Sequence, residues 1–197
     1  MLQHIVLGSS SARRQAILKD FRVPFISVSP DFDERQVAFC GDPENYTKHL
    51  ASKKAYAVSE QIADPQAYIL AADTVVIYQN RLFNKPKDEE EAIEMLKTLR
   101  NQTHSVMTSL VLLHNGTVFQ GTETSQVVFT SIPDEHLKTY LNIVGGLNKC
   151  GAYDIAHGGG LLVKEIRGCA YNIQGLPIQT LKHLLLQVNI DLWNFVV

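Results

Sequence analysis

Two features of this sequence predict a mixed α/β fold. Short apolar segments that suit buried strands alternate with segments of helical pattern, an order typical of helices packed on a sheet. One connection reads as a hairpin, because the β-rich segments 106–113 and 117–130 are joined by Asn115-Gly116, a pair that suits a two-residue turn. We therefore expect a mixed sheet with flanking helices, and not a strictly parallel one.

The elements in the first part of the chain follow from apolar patterns and from the residues at their ends. Ser11 is suited to cap a helix that runs to about Asp20. The apolar segment 68–72 reads as a buried strand that ends at Asp73. The expected elements are a strand at 5–7, a helix at 11–20, a strand at 23–28, an acidic loop at 29–34, a helix at 45–62, a strand at 68–72 and an extended segment at 74–78.

Turn residues and helix-end signals define the elements in the second part. A helix at about 88–99 begins with acidic residues, which suit the positive end of the helix dipole. Gly145-Gly146 ends another helix. The expected elements are a turn at 79–81 with a return at 82–83, a helix at 88–99, the hairpin, a helix from 133 to 145, a strand at 161–163 and a terminal helix through 187 introduced by Gly175-Leu176-Pro177.

Length and composition indicate a single domain over 1–197, or two closely packed lobes. The chain has 197 residues, 45% of them hydrophobic, which is enough to bury a substantial core without disulfides or a structural metal. Its three cysteines, Cys40, Cys150 and Cys169, are odd in number and without paired spacing, which suits a reducing compartment.

Charge and hydropathy argue against two classes of partner. A formal net charge of −2 does not provide the basic surface that non-specific binding to nucleic acid requires. No apolar run approaches the roughly 20 residues that span a bilayer, and the apolar start of the chain is too short for a signal peptide. We expect a cytoplasmic protein that binds neither nucleic acid nor membranes.

The junction Gly8-Ser9-Ser10-Ser11-Ala12-Arg13-Arg14 is a candidate phosphate site. Amide groups at a helix N-terminus attract anions, the serine hydroxyls add short donors, and arginine forks suit phosphate oxygens. The junction is not a Walker P-loop, because the Gly-Lys-Ser/Thr ending is missing. Considered alone, a capped surface helix with two solvated arginines explains the segment equally well.

Two acidic positions are candidates for metal binding or catalysis. Asp33-Glu34 follows a predicted strand and could hold a hard cation such as Mg²⁺, although an acidic surface turn is the commoner explanation. Asp73 interrupts a strongly apolar segment, so it needs a partner, a metal or solvent. Strand ends in α/β folds commonly line ligand sites. We therefore favour a functional role for Asp73.

Lysines and a glycine-rich segment add further candidates. The proline after Lys85 restricts that residue to extended conformations, which could direct it towards phosphate, although a surface lysine is at least as common. Lys53 and Lys54 point about 100° apart on a helix, so at most one faces a given site. The segment 150–160 suits a flexible connection or close approach to a ligand. We interpret its His157 as structural.

Taken in order, these segments resemble the Maf family of nucleoside triphosphate pyrophosphatases, once named for septum formation. Residues 8–14 resemble the family's Ala-Ser-x-Ser-Pro-Arg-Arg. The resemblance covers nearly the whole chain, and the joint order of the motifs is far more specific than any one of them. The other matching motifs are Asp33-Glu34, Lys54-Ala55, Ala72-Asp73-Thr74-Val75-Val76, Lys85-Pro86, His104-Ser105-Val106-Met107-Thr108, Gly151-Ala152-Tyr153 and Gly175-Leu176-Pro177.

The resemblance implies an elongated α/β fold around a central cleft, similar to inosine triphosphate pyrophosphatases. It implies house-cleaning hydrolysis of nucleoside triphosphates to monophosphate and pyrophosphate, with Mg²⁺ or Mn²⁺ required. Asp73 matches the family's proposed proton acceptor, and Glu34 with Asp73 would place the metal. The remaining matched site residues are Ser9, Arg13, Arg14, Lys54 and Lys85. Arg13 and Thr74 match positions of the branch that prefers dTTP and UTP.

Three positions depart from the family pattern. Ala12 replaces the usual proline, and Asn148 replaces an aspartate. Ala156 stands where the dTTP/UTP branch usually has glutamine, and alanine cannot supply the donor and acceptor of an amide. The expected preference for dTTP, UTP or a modified nucleotide therefore lacks its usual support at this position.

Two other functions are compatible with some of these features. A non-catalytic nucleotide-binding regulator linked to cell division would use the same basic pocket. A nucleic-acid-binding module is disfavoured, because the chain has no basic stripe. The family also makes a homodimer plausible, and the apolar segment 190–197 could either form part of its interface or pack on the domain.

Overall fold

The computed structural model describes residues 4–196, so residues 1–3 of the apolar start and Val197 at the apolar end lie outside the described residues. The strands are β1 (Ile5–Gly8), β2 (Phe25–Val28), β3 (Tyr68–Tyr78), β4 (Arg81–Phe83), β5 (Thr103–His114), β6 (Thr117–Phe129) and β7 (Val163–Arg167). The α-helices are α1 (Ala12–Asp20), α2 (Pro43–Ile62), α3 (Glu89–Leu99), α4 (Asp134–Val144), α5 (Ala170–Ile173) and α6 (Ile178–Leu186).

The described strands form one seven-stranded sheet with both parallel and antiparallel pairs. The hydrogen-bonding order is β2-β1-β3-β5-β6-β7, and β4 pairs with β3. Strand β1 runs parallel to β2 and β3, whereas β4 is antiparallel to β3 and β7 is antiparallel to β6. The prediction of a mixed sheet with flanking helices is confirmed.

Two compact units divide the chain. Of the described residues, the first comprises 4–73, 108–123 and 175–196. Its strands pack against α2 on one face and against α1 and α6 on the other, because alternate strand residues point to opposite faces. The α2 face buries Val6, Ala51, Ala55, Val58, Ile69, Ala71, Val111 and Leu113. The opposite face buries Ile5, Leu7, Ile17, Leu18, Leu70, Leu110, Leu112, Leu181 and Leu185, among others.

The second unit comprises Thr74–Met107 and Thr124–Gln174 and has a core of its own. Helices α3 and α4 supply apolar side chains that pack with residues of the strands in this unit. Its buried residues include Val76, Phe83, Met95, Leu96, Leu99, Val106, Val127, Phe129, Leu137, Tyr140, Leu141 and Tyr153.

Local capping explains where the helices begin. The hydroxyl of Ser11 accepts a hydrogen bond from the Arg14 amide, so the predicted cap of α1 is confirmed. Helix α2 begins at Pro43, two residues before the predicted start at 45. The extension arises because the Asp42 carboxylate accepts from the Glu44 amide while proline occupies a first-turn position that needs no amide donor.

Two predicted turns are confirmed, and both contain residues in the left-handed backbone conformation. Asn115 and Gly116 have φ values of 50° and 74°, as a tight hairpin with two positive φ angles requires. Gly145, with φ of 61°, ends α4.

The prediction of a strand at 161–163 is wrong in its position, because only Val163 of these three residues belongs to a strand. Leu161 ends a 3₁₀ turn, Gly159–Leu161, and β7 begins only at Val163. The Leu162 amide donates to the Gly159 carbonyl at 3.0 Å, so the glycines before it close a tight turn. Leu162 is buried while Leu161 is exposed, which shows that the apolar pair fills one core position without extending the sheet.

Two strand boundaries also differ from prediction. Strand β3 does not end at Asp73: the predicted strand and the extended segment predicted at 74–78 form one strand that continues to Tyr78, and a lysine described below compensates the Asp73 charge within it. Strand β2 begins at Phe25 and not at Val23, because the Val23 amide bonds the Leu18 carbonyl of α1 at 3.0 Å.

Within residues 4–196, we find no helix with the length and apolar character needed to cross a bilayer. The apolar segment near the C-terminus packs in part on the first unit, where Leu192 is buried and Phe195 lies against the same core. Trp193 is 65% exposed, with Lys182 Nζ at 5.7 Å from its ring centroid. Across the described chain, Cys40, Cys150 and Cys169 form no disulfide.

His104 is a buried histidine in the second unit and is kept neutral by its surroundings. It is 2% exposed, with its Nε2 3.0 Å from the Tyr153 hydroxyl and its ring edge-on to Phe129. Burial lowers the pKa of His104 from 6.5 to about 4, because the charged ring would lose its hydration. Between about pH 4 and pH 6.5, His104 therefore stays mostly neutral in the folded chain, whereas it is mostly protonated in the unfolded chain.

We expect this histidine to make the fold less stable in mild acid. Between its unfolded and folded pKa values the unfolded state binds more protons, so the free energy of unfolding falls as pH falls. The His104 contribution amounts to about 2 kcal/mol between about pH 7.5 and pH 5. Urea unfolding at both pH values should show a smaller loss for His104→Gln than for the unchanged protein. The exposed His136→Gln should behave like the unchanged protein, and an equal loss in all three would contradict the assignment.

Candidate active site

The carboxyl ends of β1 and β2 form one edge of the sheet in the first unit, and β3, which runs parallel to β1, continues beyond this edge. Gly8 at the end of β1 is in register with Val28 of β2 and with Ala71 of β3. Ser9 follows Gly8 at the end of β1. Asp73 lies two residues beyond Ala71, which is the register partner of Gly8 on β3. Such edges are where ligands bind in α/β sheets, because loops and helix N-termini converge there.

Backbone and hydroxyl groups shape the turn between β1 and α1. The Ser9 hydroxyl accepts from the Ser11 amide at 3.2 Å, and the Ser9 carbonyl accepts from the Ser27 hydroxyl at 2.7 Å. Ser9 is buried, and Arg13 is half-buried in the first turn of α1. The turn thus presents the positive end of α1 at the edge of the sheet, an arrangement suited to an anion.

Arg14 is held in a fixed orientation by two acceptors, one nearby in the sequence and one 161 residues away. Its Nε donates to the Gly175 carbonyl at 2.8 Å, and its Nη1 donates to the Ser9 hydroxyl at 3.1 Å. Gly175 has φ of 94°, which glycine adopts without strain. The role of the Gly175 carbonyl cannot be predicted from sequence, since no side-chain pattern encodes a backbone acceptor. The Gly-Leu-Pro motif at 175–177 is the one sequence signal at this position.

Asp73, Lys54 and Glu34 form one ionic cluster. Lys54 Nζ lies 2.7 Å from Asp73 Oδ1 and 2.9 Å from Glu34 Oε1. The Asp73 and Lys54 side chains are only 7% and 9% exposed, whereas Glu34 is 53% exposed. A buried carboxylate needs a partner, and Lys54 supplies it from the middle of α2.

The neighbouring carboxylates Asp33 and Glu34 have different partners. Asp33 forms a two-point pair with Arg35, from Nε to Oδ1 at 2.8 Å and from Nη2 to Oδ2 at 3.0 Å. Hydrogen bonding from the Arg35 side chain lowers the pKa of Asp33. Asp33 is thereby engaged within its own 3₁₀ turn, while Glu34 reaches Lys54.

The structure distinguishes the two adjacent lysines of α2. Lys53 is exposed and Lys54 is buried, as expected for positions about 100° apart on a helix. The Lys54 ammonium contacts carboxylates, although the resemblance implied a role in binding substrate. Its structural contribution is to hold Asp73 and Glu34 together.

The pair of carboxylates suits a hard divalent cation. Asp73 and Glu34 offer oxygen ligands that converge on one point, and Mg²⁺ is commonly held by one or two carboxylates with waters and substrate phosphates. In the described chain, no group of three or more His, Cys, Asp and Glu side chains is placed to hold a metal. A cation at Asp73 and Glu34 would therefore take its remaining ligands from water and substrate.

The remaining predicted site residues lie in the second unit. Thr74 follows Asp73 on β3, and its carbonyl accepts from Cys150 Sγ at 3.2 Å. Lys85 is exposed between β4 and α3. Ala156 is exposed, and its amide donates to Asp154 Oδ1 at 2.8 Å. The roles of these residues towards substrate stay predictions.

Two family motifs in the second unit contribute to its core. His104 and Tyr153 contact each other and pack edge-on against Phe129. His157 is exposed, with its Nδ1 3.8 Å from Asp154 Oδ2.

Sequence comparison identifies the family to which this arrangement belongs. The family model described as Maf-like protein matches residues 4–188. The chain belongs to the Maf family. A Chlamydia pneumoniae relative named nucleoside triphosphate pyrophosphatase is 56% identical over 97% of both chains. A Chlamydia trachomatis serovar L2 relative named dTTP/UTP pyrophosphatase is 53% identical over the full length of both.

One solved structure shows a more distant likeness to this Maf-family chain. The Staphylococcus aureus Ham1 protein is 18% identical, with a TM-score of 0.42, over 64% of this chain and 72% of that one.

Proposed function

We propose that this Maf-family protein hydrolyses nucleoside triphosphates to nucleoside monophosphates and pyrophosphate. The observation that carries the proposal is the buried Asp73, held by Lys54 at the sheet edge where α1 begins. A carboxylate with its own cation beside an anion-binding helix end suits metal-assisted hydrolysis better than binding alone. The names of the two Chlamydia relatives support the same reaction.

The β1–α1 turn is proposed to bind the phosphates. The α1 N-terminus supplies backbone dipoles, and Arg14 supplies a charged fork whose orientation Gly175 and Ser9 determine. Arg13 lies in the same first turn. The assignments of Arg13 to substrate choice and of Lys85 to phosphate binding rest on the family resemblance.

Asp73 is proposed to accept the proton of the attacking water. Lys54 engages Oδ1 of this carboxylate, which orients Oδ2 as the oxygen that takes the proton. The water oxygen forms a bond to the α-phosphorus as the bond from that phosphorus to the α–β bridging oxygen breaks. Pyrophosphate leaves with the bonding electron pair, and the monophosphate carries the new oxygen.

Asp73 and Glu34 would hold Mg²⁺ or Mn²⁺ together with substrate oxygens. A bound divalent cation would supply positive charge to the phosphate oxygens as negative charge shifts towards the leaving group. Glu34 is the more accessible of the two ligands, and Asp73 is the better anchored.

We propose dTTP and UTP as the first substrates to examine. The name of the Chlamydia trachomatis relative and the matched positions Arg13 and Thr74 support this choice. Ala156 has no amide to recognise a base. Modified pyrimidine nucleotides therefore belong in the same comparison.

A panel of triphosphates, with and without Mg²⁺ or Mn²⁺, tests the reaction. We expect equal amounts of pyrophosphate and monophosphate from dTTP or UTP, and much less product without metal. Purine triphosphates and CTP serve as the comparison. Tight nucleotide binding with no metal-dependent product from any triphosphate would instead support a regulator linked to cell division.

A cytoplasmic location and a homodimer are further proposals from the family resemblance and the sequence. Analytical ultracentrifugation of the full chain tests the second. A single monomeric species at all accessible concentrations would contradict it.

A further inference from the structure

The position of Lys54 between Asp73 and Glu34 has a consequence for metal binding. Resting on the function proposed above, we propose that Lys54 is a resident cation that keeps this carboxylate pair from binding a divalent metal tightly until the triphosphate arrives. The lysine would thus act as a positioning residue that makes metal and nucleotide bind together.

Geometry supports competition between the ammonium and a metal. Lys54 Nζ is within 2.9 Å of an oxygen on each carboxylate, so the ammonium occupies the space between the Asp73 and Glu34 carboxylates. A divalent cation that used the same two oxygens would have to displace the ammonium from at least one of them. The existing ion pair must therefore be broken before the new ligand set can form.

Charge supports the same conclusion. The Asp73 and Glu34 carboxylates with the Lys54 ammonium leave one net negative charge, whereas the two carboxylates alone would present two. Electrostatic attraction for a divalent cation is weaker with the ammonium in place, and this difference is large where burial excludes water. A bound triphosphate would contribute several negative charges and additional oxygen ligands.

The two carboxylates differ in how readily they can move. Asp73 is buried within β3, and Lys54 projects from a helix anchored by the buried Ala51, Ala55 and Val58. Glu34 lies half exposed on a short 3₁₀ turn. We therefore expect Glu34 to leave the ammonium first, while Lys54 stays with Asp73 and keeps that carboxylate in place for the reaction.

Direct Mn²⁺ titration without nucleotide tests the proposal independently of turnover. We expect Lys54→Met to bind Mn²⁺ at least about tenfold more tightly than the unchanged protein, because one competing charge is removed. Lys53→Met, which removes the exposed neighbouring lysine, should leave the Mn²⁺ affinity unchanged. Calorimetry gives the dissociation constants. Mn²⁺ should also raise the thermal unfolding temperature of Lys54→Met more than that of Lys53→Met, because tighter binding to the folded state stabilises it more.

Lys54→Gln provides a second test if the methionine variant folds poorly, since glutamine can still donate one hydrogen bond to Asp73. Equal Mn²⁺ affinity in the unchanged protein and both Lys54 variants would overturn the proposal. That outcome would leave the proposed function standing if Mn²⁺ still binds the unchanged protein in the presence of a non-hydrolysable triphosphate. Absence of Mn²⁺ binding in every variant, with or without this analogue, would overturn both the metal site and the role of Lys54.

Discussion

Replacing Asp73 by asparagine is expected to lower the turnover number by roughly 10²–10⁴-fold at saturating metal, the usual range for loss of a general base. Asparagine has nearly the same size and can still accept a hydrogen bond from Lys54, so the strand should keep its position. It cannot take the proton of the attacking water at neutral pH. Pyrophosphate release measured over a range of nucleotide and metal concentrations separates this loss from weaker binding.

Asp20→Asn is a matched control for this substitution. Asp20 is an exposed carboxylate at the C-terminal end of α1, remote in the helix from the proposed phosphate site at its N-terminus. We expect this variant to retain normal turnover. Near-normal turnover of Asp73→Asn with saturating metal would exclude Asp73 as the base, and another group would have to accept the proton.

Replacing Arg14 by lysine is expected to lower kcat/KM by about 10- to 100-fold, the range given by one or two charged hydrogen bonds. Lysine keeps the positive charge but has a single donor head, whereas the Arg14 guanidinium bonds Gly175 and Ser9 through separate nitrogens. Without the guanidinium, the turn between β1 and α1 loses the hydrogen bonds that connect Arg14 to Gly175 and Ser9. Initial rates with the preferred triphosphate measure the effect.

Arg167→Lys is the control for the general effect of replacing an arginine fork. Arg167 pairs with Glu165 through Nε and Nη2 on the exposed strand β7. We expect kcat/KM to be unchanged in this variant, and both variants should keep their thermal unfolding temperatures within a few degrees. If Arg14→Lys were as active as Arg167→Lys, Arg14 would be a structural residue of the turn without a role in binding phosphate.

Much of the fold follows from local patterns. Ser11 predicts the start of α1, and Asn115-Gly116 predicts the hairpin, because a cap or a tight turn depends on a few neighbouring residues. The strand predicted at 161–163 is misplaced because two adjacent apolar residues are compatible with a strand and equally with a turn that buries only one of them.

For the candidate site, the sequence predicts the residue types but not the contacts between them. The residue types at 9–14 and at Asp73 predict phosphate binding and acid–base chemistry, since arginine forks at a helix start suit phosphate and a carboxylate in an apolar segment needs a partner. Sequence separation hides which groups meet. Arg14 and the Gly175 carbonyl are 161 residues apart, and Lys54 and Asp73 are 19 apart.

Local sequence patterns are enough to predict that a helix begins after Ser11, that Asp73 needs a partner, and that the chain resembles the Maf family. Folding brings Lys54 to Asp73 as that partner, lets Glu34 and not Asp33 share the ammonium, and continues β3 through Asp73. These contacts are not local, because an ion pair depends on the distance between groups in space. Packing of α2 on β3 sets that distance, and no local pattern contains it.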